Sequence, residues 1–286
     1  MDNEKIKLTS AQEQETYLPT LYGKALDNRS ADPILGDKFA DEVVRRIDLD
    51  FDKKFKSIAE GGAVTLPMRA KHLDSWVREF LESHISATVL NLGCGLDSRV
   101  FRIDPPATVR WYDVDLPDVV ELRKRLYPER HDYQLVAASV TDLVWLDNIP
   151  GDRPVVIVAE GLMQYLPRQE AGKFLTRLTE QFPSGQIVFD AYGTLTTKTL
   201  NLLIRLSTFG KPTAAGSRVS LPWGIDDPHD IENIAPRMKL VDAVPFLTMP
   251  ELVKRLSHSP AQLAIANMMG SWGWYQRSMR HYRYQF

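Results

Sequence analysis

The sequence predicts an α/β fold with a Rossmann-like core, a seven-stranded and mostly parallel sheet carrying helices on both faces. Three observations predict it. Short apolar runs alternate with helical segments from residue 87 to Tyr192 and again in the C-terminal part, the pattern of strand–helix–strand units. The first run, ATVLNLG, closes on glycines, as a buried parallel strand ending in a tight turn should. The second, VRWYDVD, ends in an acid, Asp115.

Taken in order, residues 1–85 read as a helical N-terminal extension or lid without a convincing strand. Within it, SWVREFLESH spaces Trp76, Val77, Phe80 and Leu81 at helical intervals, which gives one apolar face. Residues 86–286 read as the core. After ATVLNLG come DSRVFRI as a helix, VRWYDVD as the second strand and LPDVVELRKRLYP as the second helix. YQLVAAS is a third strand and PVVIVAE a fourth. PRQEAGKFLTRLTEQF follows as a helix with proline near its start, where the missing N–H costs nothing. QIVFDAY is the fifth strand. The alternation then breaks, and residues 194–235 read as an insertion capping the substrate site, with an apolar helical stretch and a Gly/Pro/Ser-rich loop. KLVDAVPF, MPELVKRLSHS and YQRSMRHYRYQF restore strand, helix and strand.

Of 286 residues, 44% are hydrophobic and 25% charged, with a net charge of -2. That is the composition of a globular chain large enough to bury a core. It gives no basic face for nucleic acid. Cys94 is the sole cysteine, so no disulfide can form within the chain and a cysteine-based zinc site is not expected. The six histidines show no metal-ligand spacing. The polar start lacks a signal-peptide core, and no apolar run approaches the roughly 20 residues of a membrane span. The expectation is a cytoplasmic protein with no membrane or nucleic-acid partner; the oligomeric state is not legible.

Chemistry concentrates at Asn91-Leu92-Gly93-Cys94-Gly95-Leu96-Asp97-Ser98, where the first strand turns into a helix. Gly93 and Gly95 allow a ligand to approach the backbone, and the helix start offers free N–H groups. Asp115 follows Gly93 by 22 residues, a spacing at which a carboxylate can accept from both ribose hydroxyls of an adenosine. A dinucleotide site prefers a third small residue packed beneath the pyrophosphate. Here that position is Ser98, preceded by Asp97, whose charge would repel phosphates. The residues therefore favour a cationic adenosine ligand over NAD, without excluding an NAD-dependent dehydrogenase.

Five segments together extend the reading: ETYLPTLYGKALD, NLGCGLDSRVFRI, WYDVDLPDVVELRK, AEGLMQYL and PWGIDDPHDIENIAPRMKLVD. They resemble the leucine carboxyl methyltransferase family, more closely its bacterial branch of tetracenomycin polyketide O-methyltransferase-like proteins, over about residues 15 to 260. The resemblance implies a class I methyltransferase fold, S-adenosylmethionine as donor with S-adenosylhomocysteine as product, and an oxygen acceptor. It assigns Gly93 and Gly95 to the loop beside the cofactor, Asp115 to the ribose, Arg69 in LPMRAKHLD to the cofactor's carboxylate and Glu160 to its methionine end. Ser139 and Val140 fall where the family contacts adenine; Ser139 replaces the family's usual acid, and Asp142 is the alternative. Lys24 roughly matches an N-terminal family lysine.

Plainer readings stand beside these. Arg69 could be a surface residue before a helix, and Glu160 could cap the helix after it. Lys71, His72 and Asp74 read as helix surface. Tyr17, Tyr22, Tyr165, Phe209 and Trp223 are candidates to line the acceptor pocket, yet aromatics at such positions also serve as core. No catalytic residue is identified. A carboxylate acceptor, with an ordinary pKa near ~4, needs no general base, whereas a phenol near ~10 does. The preferred acceptor is a small-molecule carboxylate, with a hydroxyl, a protein's C-terminal leucine, or a binding protein without turnover as alternatives.

Overall fold

The computed structural model describes residues 5–9, 12, 16–58, 64–206, 220–256, 264, 268 and 271–286. Four helices come first: α1 (Tyr17–Asn28), α2 (Lys38–Arg46), α3 (Phe51–Lys54) and α4 (Thr65–Ser83). The alternating part follows as β1 (Thr88–Leu92), α5 (Arg99–Ile103), β2 (Arg110–Asp115), α6 (Pro117–Leu126), β3 (Tyr133–Ala137), β4 (Val155–Ala159), α7 (Arg168–Gln181) and β5 (Gly185–Tyr192). Then come α8 (Thr194–Leu206), α9 (Asp230–Ile234), β6 (Lys239–Pro245), α10 (Pro250–Leu256) and β7 (Met279–Gln285).

The strands form one sheet in the order β3-β2-β1-β4-β5-β7-β6. Pairs from β3 to β5 are parallel, and β7 runs antiparallel to both neighbours. The order reverses between β1 and β4, and the crevice outside the carboxyl ends of strands at such a point is where ligands bind in open α/β sheets.

Side chains alternate along each strand and so build two cores. Val89, Trp111, Val156, Val158 and Val188 face Leu73, Val77 and Phe80 of α4 and Val100 of α5. Leu90, Leu92, Tyr112, Val114 and Ile157 face Phe174, Leu175 and Leu178 of α7. Each fully buried Leu, Val or Phe contributes about 1.5–3 kcal/mol of transfer free energy. The helix α4, grouped by sequence with the N-terminal extension, is therefore one of the layers of the sheet sandwich. A third cluster joins α1–α3 to Leu96, Leu122 and Leu126, which fixes α1 above the turn after β1. Residue 6 also contributes a short parallel bridge between Ile6 and Ile47.

Local rules are obeyed where they can be seen. Asp37 caps α2 by accepting from the Ala40 N–H at 3.0 Å, a typical cap. The helix α6 begins with proline, carries Asp118 in its first turn and Arg123, Lys124 and Arg125 in its last, as the helix dipole favours. No helix among the described residues is long and apolar enough to cross a membrane.

Candidate functional site

A cleft of about 260 Å³ opens at the carboxyl edge of the sheet, at the switch point between β1 and β4. Its floor is the turn after β1. Gly93 and Gly95 have φ of +58° and +49°, the left-handed region that disfavours any residue with a Cβ. Space is short too: a Cβ on Gly95 would lie 2.8 Å from Tyr17 Cβ, and one on Gly93 would lie 3.1 Å from Leu162 Cδ1, which would have to give way. The turn is tied from behind by Arg123, which donates to the carbonyls of Gly95 and Asp97 at 2.8 Å each.

Acids stand at the ends of three strands. Asp115 closes β2; its Oδ2 accepts from the Gly95 N–H at 2.6 Å and its Oδ1 from the Leu116 N–H at 2.7 Å. One carboxylate thus fixes the glycine turn while each oxygen retains a further lone pair for a ligand. Burial pushes its pKa up despite those two amides. Glu160 follows β4. Asp190, near the end of β5 and fully buried, accepts from the Gly161 N–H at 2.6 Å.

Four buried cations pair with acids in and around the cleft. Arg69 reaches from inside α4, with Nη2 3.1 Å from Glu160 and Nη1 3.4 Å from Asp190. Lys24 of α1 lies 3.2 Å from Asp97 and 3.3 Å from Glu160. Arg99 donates to Asn91 at 2.9 Å and Asp74 at 2.7 Å and also pairs with Glu160. Arg102 joins Asp37, Asp74 and Asp97. Burial alone would raise the pKa of Glu160, yet Lys24, Arg69 and Arg99 overcome it and hold the carboxyl well below its usual value. Arg102, Lys24 and Arg99 do the same for Asp97. Burial pushes Asp190 up, against the opposing effect of Arg69.

The structure gathers Arg69, Gly93, Gly95, Asp115, Glu160, Tyr17 and Tyr165 around this one cleft. Other expectations need correction. Ser139 and Val140 are not among the lining residues; Val140 is buried in the core and Ser139 bonds Thr141. Asp142 caps the 3-10 turn after it. Beside Asp115 the cleft is lined instead by Leu116 and Val119. Tyr22 is core: it is fully buried, its ring centroid is 5.4 Å from that of Phe51, and its hydroxyl bonds Asp52. Trp223 packs against the main core and does not line the cleft. Phe209 lies outside the described residues. Asp74 is not helix surface but a buried partner of Arg99 and Arg102. Asp97, expected to repel phosphate, has its charge balanced by three cations, which removes that argument against a dinucleotide.

Sequence reasoning missed Asp190, Arg99, Asn91 and Gln164. Asp190 was within reach: it follows the apolar run QIVF near the end of its strand. Arg99 was not, because a helical arginine after a glycine turn carries no sign of being wholly buried. Cys94 is buried, and burial raises its thiol pKa, so it stays a neutral packing group.

The cleft presents two chemically different ends. A backbone floor without Cβ atoms lies between a carboxylate suited to ribose hydroxyls and a guanidinium suited to a carboxylate.

Comparison with known proteins agrees. Residues 18–179 match the family model of leucine carboxyl methyltransferases. The chain is 43% identical to the tetracenomycin polyketide synthesis O-methyltransferase TcmP of Streptomyces glaucescens, over 87% of this chain and 88% of that protein. It is 34% identical to the S-adenosyl-L-methionine-dependent methyltransferase dpfgK of Gibberella zeae, over 84% and 83%. The solved structure of a candidate methyltransferase from Thermobifida fusca superposes with a TM-score of 0.56 at 15% identity, covering 92% and 93% of the two chains, and shows the shared fold. The chain is an S-adenosylmethionine-dependent methyltransferase and belongs to the leucine carboxyl methyltransferase family.

Proposed function

We propose that this enzyme methylates a carboxylate oxygen of a small, polyketide-like acid in the cytoplasm. The observation that carries the acceptor is the electrostatic state of the cleft. Glu160 is held ionised by Lys24, Arg69 and Arg99 with its pKa well below the usual carboxylate range, which makes it a weak base. Burial raises the phenols of Tyr165 and Tyr192, so they stay neutral at physiological pH. A phenol acceptor would need a base poised near neutrality. A carboxylate arrives ionised. The kinship with a polyketide O-methyltransferase supports an acceptor of that kind.

Arg69 would grip the cofactor's carboxylate, Glu160 its ammonium, and Asp115 its ribose hydroxyls over the floor of Gly93 and Gly95. The bound donor supplies an electrophilic methyl: the C–O bond forms as the S–C bond breaks, and the electron pair returns to sulfur. The chain's own task is to hold the two ends of the cofactor rigidly, to exclude water, and to keep the acceptor oxygen in line at close range, the main source of rate in such a transfer. Tyr17 and Tyr165 also line the cleft.

The family's name gives a second reading, a protein's C-terminal leucine carboxylate. Incubation with methyl-labelled donor against aromatic acids, phenols and a peptide ending in leucine separates them. The proposal expects base-labile methyl esters of the small acids. Base-stable ethers, or label only on the peptide, contradict it.

A further inference from the structure

Gln164 sits on the 3-10 turn after β4, between Met163, anchored in the core, and Tyr165, exposed toward the cleft. It is 4% exposed and lines the cleft, yet its Oε1 is buried without a hydrogen-bond partner. A buried amide oxygen left unpaired is costly, and in a native fold it calls for a partner, which at a cleft wall a ligand can supply. The cations of the cleft are already engaged: Lys24 and Arg69 face acids. Glu160 is engaged in turn, by Lys24, Arg69 and Arg99. The Gln164 carboxamide is therefore a buried polar group of the cleft lining whose oxygen is left without a partner.

A carboxamide presents a donor and an acceptor side by side. Its complement is a group offering an oxygen to the N–H and a hydroxyl to Oε1. We propose that Gln164 recognises the acceptor, and that the acceptor class is an aryl carboxylate with a hydroxyl on the ring carbon ortho to the carboxyl group. This rests on the carboxylate-acceptor reading above. Nε2–H donates to the carboxylate oxygen that is not methylated, and the hydroxyl donates to Oε1. The other carboxylate oxygen is left unbonded and nucleophilic. A site built to pair a substrate hydroxyl rejects the analogue lacking it, because its own polar atom is then stranded.

The test uses 3-hydroxy-2-naphthoate and 2-naphthoate as probes with the intact enzyme and two variants, Gln164→Met and Gln164→Glu. Thermal melts verify folding, and calorimetry measures S-adenosylhomocysteine affinity. The wild type should favour the hydroxy acid by about tenfold in KM. Gln164→Met should erase that preference by raising KM for the hydroxy acid about tenfold, with a smaller change in kcat. Gln164→Glu should lose more, since it replaces the donor with a repelling charge. Cofactor affinity should stay within about twofold in both. A preference that survives in Gln164→Met, with ester as product, overturns the role of Gln164 and leaves the acceptor reading standing. Loss of cofactor affinity assigns Gln164 to the cofactor and overturns the proposal. Ether products, or neither acid binding the cofactor-saturated wild type, overturn the acceptor reading and the proposal together.

Discussion

Lys24 Nζ lies 3.3 Å from Glu160 Oε1, with both side chains almost wholly buried. An ammonium from the first helix thus meets a carboxylate from the end of β4. The first helix is joined by charge to the wall of the candidate cleft and lines it. Replacing Lys24 with Met leaves Glu160 with Arg69 and Arg99, and Asp97 with Arg99 and Arg102. Since neither acid is fully orphaned, the loss should fall below the ~3–5 kcal/mol of an abandoned buried charge, at about 1–3 kcal/mol. Urea unfolding checks this; an unchanged midpoint contradicts it.

Gly95→Ala should harm stability and binding together. The residue would be strained at φ +49° and its methyl would meet Tyr17 Cβ at 2.8 Å. The strain amounts to about 1–3 kcal/mol. Moving Tyr17 aside should weaken S-adenosylhomocysteine binding by about tenfold. A melt combined with calorimetry reads both.

Asp115→Ala removes an ionised acceptor and releases the Gly95 N–H. A hydrogen bond to a charged group is worth about 1.5–3 kcal/mol, so cofactor affinity should fall about 10- to 100-fold. Asp115→Asn keeps one oxygen for the ribose and should fall in between. Equal affinities in all three proteins would remove Asp115 from the site.

The fold was legible because its signals are local. Each strand is a short apolar run, and the turn after β1 needs glycine for reasons written in two residues. The family resemblance names Arg69, Asp115 and Glu160, and the structure places all three around one cleft. Tyr22 and Trp223 were misread because an aromatic side chain looks the same facing a cleft or a core. Only the packing of Tyr22 against Phe51, on a helix nearly thirty residues away, decides between them. The same holds for Asp74 and Arg99, whose pairing depends on α4 and α5 meeting on one face of the sheet.

Acid should expose the charge network. The folded pKa of Glu160 lies below the ordinary 4.5, so its contribution to stability is present above that value and is lost as pH falls through the depressed one. Unfolding midpoints followed from about pH 6 to about pH 3 should fall more steeply in the wild type than in Glu160→Gln, which has no proton to take up there. Parallel curves would show that Glu160 is not held ionised.

The account stands on one cofactor lying between Arg69 and Asp115 across the glycine floor. A crystal structure with S-adenosylhomocysteine tests it directly. The predicted result has the ribose hydroxyls on the Asp115 carboxylate and the aminocarboxyl end at Arg69 and Glu160. Adenosine bound elsewhere, or Arg69 still paired only to Glu160 and Asp190 beside a bound ligand, would contradict it.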